Sequence, residues 1–147
     1  MIKKSEGGFL ISQIHQLSGR IFSKMLRDYK IDINHAQGRI IFALWKNDQI
    51  PINDLVKETS LSKSTLTTML ERLEKSGHIV RKTSETDKRV TIVCLTQKSS
   101  YFRVDYQKIS SEATNLFYKG FTDDEILQFE SSLKKILKNL KQKDNSI

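Results

Sequence analysis

The chain is poor in the residues that cross-link or interrupt a polypeptide. Its 147 residues include one cysteine, one proline and six glycines. A single cysteine excludes an internal disulfide framework, and the scarcity of proline and glycine favours long helices. No apolar run reaches the ~20 residues needed to cross a membrane, and polar residues interrupt the N-terminal segment where a signal peptide would be apolar. We therefore expect a soluble, cytoplasmic protein with no membrane partner.

Signatures of enzymes and of metal sites are also missing from the sequence. It has no glycine-rich phosphate loop and no nucleophile elbow. His15, His35 and His78 do not share the short spacings typical of metal ligands. We therefore expect no catalysis, no metal and no cofactor, with the histidines in capping or surface roles. Cys94 lies in an apolar run, which favours a small buried residue over a redox sensor.

Basic side chains outnumber acidic ones. The chain has 25 lysines and arginines against 17 aspartates and glutamates, a net charge of +8. This excess favours an anionic partner, which could be nucleic acid, an anionic membrane or an acidic protein. Composition alone does not choose among these three.

Long helices with one apolar face are predicted at both ends of the chain. Apolar residues recur every three or four positions over residues 9–30, 97–119 and 123–142. Thr122 and Glu125 form a capping box that opens the last helix, and we expect the lysine-rich tail after Leu140 to fray. A lobe of roughly 60 residues cannot bury three such faces, so an intertwined dimer is favoured over a bundle within one chain.

The stretch between residues 53 and 96 has the order of a winged helix-turn-helix. A helix at 53–59 is followed by a serine-rich turn and a helix at 63–76. Leu66, Met69, Leu70 and Leu73 are spaced so that they form the buried side of this second helix. Two β-branched segments, residues 78–83 and 89–95, then form a basic hairpin. The fold class is therefore mainly α (α+β).

The exposed side of the 63–76 helix and the hairpin suit DNA. Short hydroxyl side chains let a helix approach base edges in the major groove, and an arginine at a hairpin tip suits a narrow minor groove. Asp87 lies two residues before Arg89, close enough to hold its guanidinium. The predicted DNA-binding residues are Ser62, Lys63, Ser64, Thr65, Thr67, Thr68, Arg72, Arg81, Lys82, Asp87, Lys88 and Arg89.

These segments resemble the MarR family of bacterial and archaeal transcriptional regulators. The similarity is carried by residues 61–67, 70–81, 86–90 and 95–96, of which the Asp-x-Arg of the hairpin followed by Leu-Thr is the more specific part. Residues 34–37, Asn-His-Ala-Gln, resemble the segment that opens the second helix of the family.

The resemblance implies a triangular homodimer with interlocked terminal helices, whose two lobes bind double-stranded DNA at a pseudo-palindromic operator. It implies one MarR-type domain over residues 1–147, with a DNA-binding lobe at 33–96 and a helical dimerisation region at 1–32 and 97–147. It also implies a sequence-specific regulator, a repressor whose DNA affinity falls when a small amphipathic or phenolic effector binds. The predicted effector-binding residues are His15, His35 and Trp45.

Two alternatives of different classes stay open. A non-specific architectural DNA-binding protein would tolerate the loss of Ser64, Thr65 and Thr68, but would weaken whenever a lysine or arginine is lost. A winged-helix module for protein interaction would tolerate the loss of Arg72 and Arg89. A specific regulator could also activate transcription rather than repress it.

Overall fold

A computed structural model describes residues 4–144 and is mainly helical. Its elements in chain order are α1 (Gly7–Asp28), α2 (His35–Lys46), β1 (Ile50–Pro51), α3 (Ile52–Thr59), α4 (Lys63–Lys75), β2 (Ile79–Thr83), β3 (Thr91–Leu95), a 3-10 helix (Gln97–Phe102), α5 (Arg103–Phe117) and α6 (Asp123–Lys143). In the described part of the chain, no helix is long and apolar enough to cross a membrane.

Local capping fixes where several helices begin. Asn34 accepts a hydrogen bond from the backbone N–H of Gln37 at 2.8 Å, and the Gln37 side chain accepts one from Asn34 N–H at 2.9 Å. The predicted capping box of Thr122 and Glu125 has the same reciprocal bonds and is confirmed. The predicted fraying after Leu140 is wrong as far as Lys143, where α6 ends, and residues 145–147 of that tail lie outside the described residues.

The three strands form one small antiparallel sheet. Its order is β1-β3-β2, with Ile50 paired to Val93 and Arg81 paired to Val93 from the other side. The strands β2 and β3 are each five residues long, shorter than predicted, so the loop between them is longer. This hairpin is the wing, and it extends from the end of α4.

The core lies where α1, α2, α3, α4 and α5 meet the sheet. Leu66, Leu70 and Leu73 of α4 are fully buried, which confirms the predicted stripe, whereas Met69 is half-buried. Cys94 is buried at 6% exposure, as expected for a small residue of the lobe.

The terminal helices leave large apolar surfaces uncovered in the single chain. No residue of α6 is buried, and Leu127 and Leu140 are 68% and 62% exposed. On α1, only Phe22 and Leu26 are buried. The large apolar residues of α1 that stay exposed are Phe9, Leu10, Ile11, Ile14, Leu17 and Ile21. Such contiguous apolar faces are typical of a surface that another protein covers.

Candidate nucleic-acid interface

The N-terminal turn of α4 presents a cluster of hydroxyl groups to solvent. Ser62 caps the helix by accepting a hydrogen bond from Thr65 N–H at 3.2 Å, and its hydroxyl donates to Thr65 Oγ1 at 2.9 Å. Ser62, Lys63, Ser64 and Thr65 are all exposed, and the first turn contains no acidic residue. The positive end of the helix dipole is therefore open to an anion.

Thr67 and Thr68, on the next turn of α4, were both predicted to bind DNA but differ in exposure. Thr68 is exposed, and its hydroxyl donates to the Ser64 carbonyl at 3.1 Å. Thr67 is half-buried, and its hydroxyl donates to the Lys63 carbonyl at 2.8 Å. Thr68 therefore lies on the face that could meet a DNA groove, whereas Thr67 lies at its edge.

Arg72 and Lys75 extend the exposed face towards the C-terminal end of α4. Both are exposed, and among the described residues neither has an acidic partner within 4.0 Å. These two cations, about two and three turns beyond the hydroxyl cluster, suit contacts with DNA phosphates.

The wing carries an arginine held in place by its neighbour. Arg89 Nε and Nη2 donate to the two carboxylate oxygens of Asp87, each at 3.1 Å, while the Arg89 side chain remains 90% exposed. These hydrogen bonds hold the pKa of Asp87 below its usual range, so the carboxylate stays charged. The predicted Asp87–Arg89 pair is confirmed. Lys82 and Lys88 are exposed beside it.

Arg81 differs from the other predicted arginines because Glu74 of α4 binds it and its side chain is only 25% exposed. The Arg81 guanidinium donates to Glu74 Oε1 from Nη2 at 3.0 Å and from Nε at 3.3 Å, and its backbone N–H donates to Oε2 at 2.9 Å. The bond from the backbone N–H is the largest cause of the lowered pKa of Glu74. Arg81 therefore joins β2 to α4 and supports the wing from within the lobe.

A cavity of about 390 Å³ lies between α1, α2 and α5, away from the α4 face. Of the three predicted effector residues, only His35 lines it. His15 borders a shallow depression next to it, with its ring 6.3 Å from the His35 ring. Trp45 packs behind the cavity against Tyr106 and Phe102, at 5.1 and 5.7 Å between ring centroids.

Two polar residues that the sequence analysis did not assign to an effector site, Arg39 and Tyr106, also line this cavity. Tyr106 is 4% exposed, and its hydroxyl has no hydrogen-bond partner among residues 4–144. Burial raises the pKa of Tyr106 to about 12, so the hydroxyl keeps its proton. Burial, with Arg39 and His15 nearby, lowers the pKa of His35 to about 4, so its ring is neutral.

The close fit of Tyr106 depends on a glycine. A Cβ atom at Gly38 would lie 2.8 Å from the Tyr106 hydroxyl oxygen and 3.0 Å from a ring carbon. Any larger residue at position 38 would displace the tyrosine from the wall of the cavity. The cavity thus combines one cation, one neutral imidazole and the hydroxyl groups of Tyr106, Ser18, Ser110 and Thr114 with a mainly apolar lining.

The expected capping or surface role of His78 is wrong. The residue is fully buried, and its Nε2 lies 2.9 Å from Asp32 Oδ1. Burial lowers the pKa of His78, although the Asp32 carboxylate opposes the shift and Lys98 reinforces it. The sequence pattern missed this pair because its members are 46 residues apart.

One buried and one half-buried histidine, His78 and His35, predict a stability that depends on pH. His35 and His78 are neutral in the folded chain, but the unfolded chain binds protons near the ordinary histidine pKa of 6.5. The free energy of unfolding is therefore highest above pH 6.5 and falls as the pH drops below it, by at most about 1.4 kcal/mol per pH unit for each histidine. Urea unfolding at several pH values between 7.5 and 5.5 measures how the free energy of unfolding changes with pH. His35→Gln and His78→Gln should each flatten part of the slope, and a pH-independent wild type would contradict the prediction.

Comparison with known proteins identifies the family of the lobe. A model of the MarR family matches residues 33–91, from the start of the lobe to the first residue of β3. This lobe is a MarR-type DNA-binding lobe. Among residues 4–144, no group of three or more His, Cys, Asp or Glu side chains could hold a metal ion.

Proteins similar to this chain cover most of its length. It is 28% identical over 115 residues to the organic hydroperoxide resistance transcriptional regulator of Bacillus subtilis (strain 168), covering 78% of this chain and 77% of that one. A mutant MarR of E. coli in complex with operator DNA is similar in structure, with a TM-score of 0.79 and 28% identity. The match covers 88% of this chain and 92% of that one. A MarR transcriptional regulator of Methanosarcina mazei Go1 shares the fold, with a TM-score of 0.83 and 24% identity. The match covers 96% of this chain and 100% of that one.

Proposed function

We propose that this protein is a homodimeric transcriptional repressor of the MarR family that binds a pseudo-palindromic operator. The observation that carries the proposal is the exposed hydroxyl cluster at the start of α4 beside a wing whose Arg89 is held by Asp87. The operator complex of the similar E. coli protein supports double-stranded DNA as the partner. A repressor of this kind acts in the cytoplasm, on chromosomal DNA, and its proposed role requires no catalysis.

In the proposed complex, the N-terminal half of α4 enters the major groove. Ser64, Thr65 and Thr68 contact base edges, because their short side chains allow close approach. Arg72 contacts the phosphates at the rim of the groove. Arg89 reaches the adjacent minor groove, where a narrow A·T-rich segment has the stronger negative potential.

The proposed dimer forms through the uncovered faces of α1, α5 and α6. A two-fold axis would place the two α4 helices so that they face successive major grooves, about 34 Å apart on one side of the duplex. The exposed apolar residues of α1 and α6 would then be buried between the two chains. The predicted division into a lobe at 33–96 and a dimerisation region at 1–32 and 97–147 remains part of this proposal.

The proposed effector site is the cavity between α1, α2 and α5. Its single cation, Arg39, and the Tyr106 hydroxyl suit the anionic end of a small amphipathic molecule, and the apolar lining suits the rest. Because the cavity lies between the helices of the proposed dimer base and the lobe, a ligand there would favour one lobe position over another. A ligand that favours a spacing unsuited to the operator lowers DNA affinity by a population shift.

Replacing Arg39 tests the effector site. Benzoate should weaken operator binding by the wild type, whereas benzamide, which has the same shape without the charge, should not. Arg39→Gln should raise the benzoate concentration needed for half-maximal release by about tenfold or more, because the ion pair is lost, and should leave ligand-free operator affinity within about threefold. Arg103→Gln is the matched control, since Arg103 lies over Trp45 outside the cavity. Equal benzoate responses in the two variants would exclude Arg39 as the anchor.

Selection from a randomised duplex library tests the proposed function itself. The protein should enrich an inverted repeat whose half-sites are about one helical turn apart. Enrichment of no sequence, with strong binding that falls steeply with salt, would favour the architectural alternative. Absence of binding at low salt would leave the protein-interaction module.

A further inference from the structure

The C-terminal end of the recognition helix α4 is held by side chains from a distant part of the chain. Lys98 Nζ donates to the Ser76 carbonyl at 2.6 Å, and Thr96 Oγ1 donates to the Gly77 carbonyl at 2.5 Å. These are carbonyls just past the end of α4, where a helix leaves its acceptors unpaired and where a positive charge is favourable. The segment between β3 and α5 therefore holds the C-terminal end of α4 through these two hydrogen bonds.

Asp32, in the loop between α1 and α2, binds Lys98 and His78 and so adds a third segment of the chain to these contacts. Its Oδ2 accepts a hydrogen bond from Lys98 Nζ at 3.0 Å, and its Oδ1 lies 2.9 Å from Nε2 of His78. Burial works against the charged form, but the bonds from Lys98 and His78 hold the pKa of Asp32 below its usual range. We call Asp32, Ser76, His78 and Lys98 the Asp32 clip.

His78 makes the clip rigid. Its side chain is fully buried, and its ring packs edge-on against Phe102 at 5.6 Å between centroids. Its Nδ1 has no hydrogen-bond partner within residues 4–144. Within residues 4–144, the hydrogen bond from Nε2 to Asp32 is therefore the one hydrogen bond that this ring makes. If that bond were lost, both nitrogens of the buried imidazole would be unsatisfied.

The Asp32 clip links the recognition helix to the elements of the proposed dimer base. Asp32 follows α1 and precedes α2, while Lys98 lies in the 3-10 helix that leads into α5. On the basis of the proposed function, we propose that Asp32 is a positioning residue for operator binding: it fixes the position of α4 relative to α1 and α5, and so the distance between the two α4 helices of a dimer.

Electrostatics and the clip predict opposite effects for Asp32→Asn. The substitution removes one negative charge from a DNA-binding protein, which by Coulomb attraction should strengthen binding to every duplex. Loss of the Lys98 ion pair should instead loosen α4 and weaken binding to the operator alone. Asp28→Asn is the matched control, because Asp28 is a nearby exposed aspartate that, among residues 4–144, forms an ion pair only with Lys24, at 3.9 Å.

The experiment compares wild type, Asp32→Asn, Asp32→Glu and Asp28→Asn as full-length proteins. Affinity is measured for the duplex selected by the wild type and for a shuffled duplex at the same salt concentration. In a Cys94→Ala background, spin labels at Glu71→Cys report the distance between the two recognition helices of the DNA-free dimer. Glu71 is exposed on α4, outside the clip.

We expect Asp32→Asn to lose at least about tenfold in affinity for the selected duplex relative to Asp28→Asn. Shuffled-duplex affinity should be equal or slightly higher, the label distances should broaden, and Asp32→Glu should restore part of the loss. Equal behaviour of Asp32→Asn and Asp28→Asn in affinity and in label distance would overturn the proposal, as would a parallel loss on both duplexes. If the wild type selects no sequence, the proposed function fails, and the label distances alone decide whether the clip positions α4.

Discussion

Replacing Leu127 and Leu140 of α6 with aspartate is expected to convert the dimer into a monomer and to lower operator affinity by about 100-fold or more. Both leucines are more than 60% exposed in the single chain, and no residue of α6 is buried there. Two charges at an apolar interface would have to be desolvated without partners. Because the same surface patch meets its own copy around a two-fold axis, each substitution acts twice.

The attachment of α6 explains why the chain itself should survive this change. The helix is joined to the end of α5 by an aromatic cluster, in which Phe129 of α6 packs edge-on against Tyr118 at 6.2 Å and against Phe117 at 6.5 Å between ring centroids. The Tyr118 hydroxyl donates to Glu130 Oε2 at 2.6 Å, a bond that raises the pKa of Tyr118 to about 12. Leu127 and Leu140 take no part in these contacts, so the lobe should keep its fold.

Sedimentation equilibrium measures the dimer directly, and anisotropy measures operator binding on the same samples. A monomer has one lobe and gains nothing from the second half-site, which is the origin of the expected loss. Gln128→Asp with Asn139→Asp adds the same charge at two exposed polar positions of α6 and should leave the dimer intact. A Leu127→Asp, Leu140→Asp protein that remains dimeric would show that the interface lies elsewhere.

Replacing Arg89 with alanine is expected to lower operator affinity by about 10- to 100-fold without changing stability. The Arg89 side chain is 90% exposed and contacts Asp87 alone among charged groups of the described chain, so its removal costs the fold little. Arg81→Ala should do the reverse. It removes the two guanidinium hydrogen bonds to Glu74 Oε1, whereas the bond from the backbone N–H of residue 81 to Oε2 remains, so unfolding should shift to lower urea concentration more than it does for Arg89→Ala.

The sequence of the flanking DNA separates a minor-groove contact from a general loss of charge. Changing the A·T-rich flanks of the selected operator to G·C should weaken the wild type but not Arg89→Ala, because the contact that reads the narrow groove is already absent. Lys82→Ala should respond to the flanks as the wild type does. If Arg89→Ala and Lys82→Ala lose equal affinity on both operators, Arg89 contributes only positive charge.

Features that the sequence predicted correctly depend on residues close together in the chain. The capping box of Thr122 and Glu125 joins residues three apart, and the Asp87–Arg89 pair joins residues two apart. The buried stripe of α4 follows from the 3.6-residue period alone. Such contacts form whenever the local backbone forms, so their pattern can be read without knowing the tertiary fold.

The features that the sequence did not predict join distant segments. His78 meets Asp32 across 46 residues, and Lys98 meets Asp32 across 66. The cavity combines Arg39 of α2 with Tyr106 of α5, and the space for Tyr106 exists because Gly38 has no side chain. Nothing in the periodicity of α2 or α5 indicates which of their polar residues face each other, because that depends on how the helices pack.

Specific recognition of DNA is tested most directly by anisotropy with two duplexes across a salt series. One duplex carries the sequence selected by the wild-type protein, and the other has the same composition in shuffled order. The structure predicts at least ~10³-fold preference for the selected duplex near physiological salt. Equal affinities that fall in parallel with rising salt would contradict sequence-specific binding and would indicate attraction to the phosphate backbone alone.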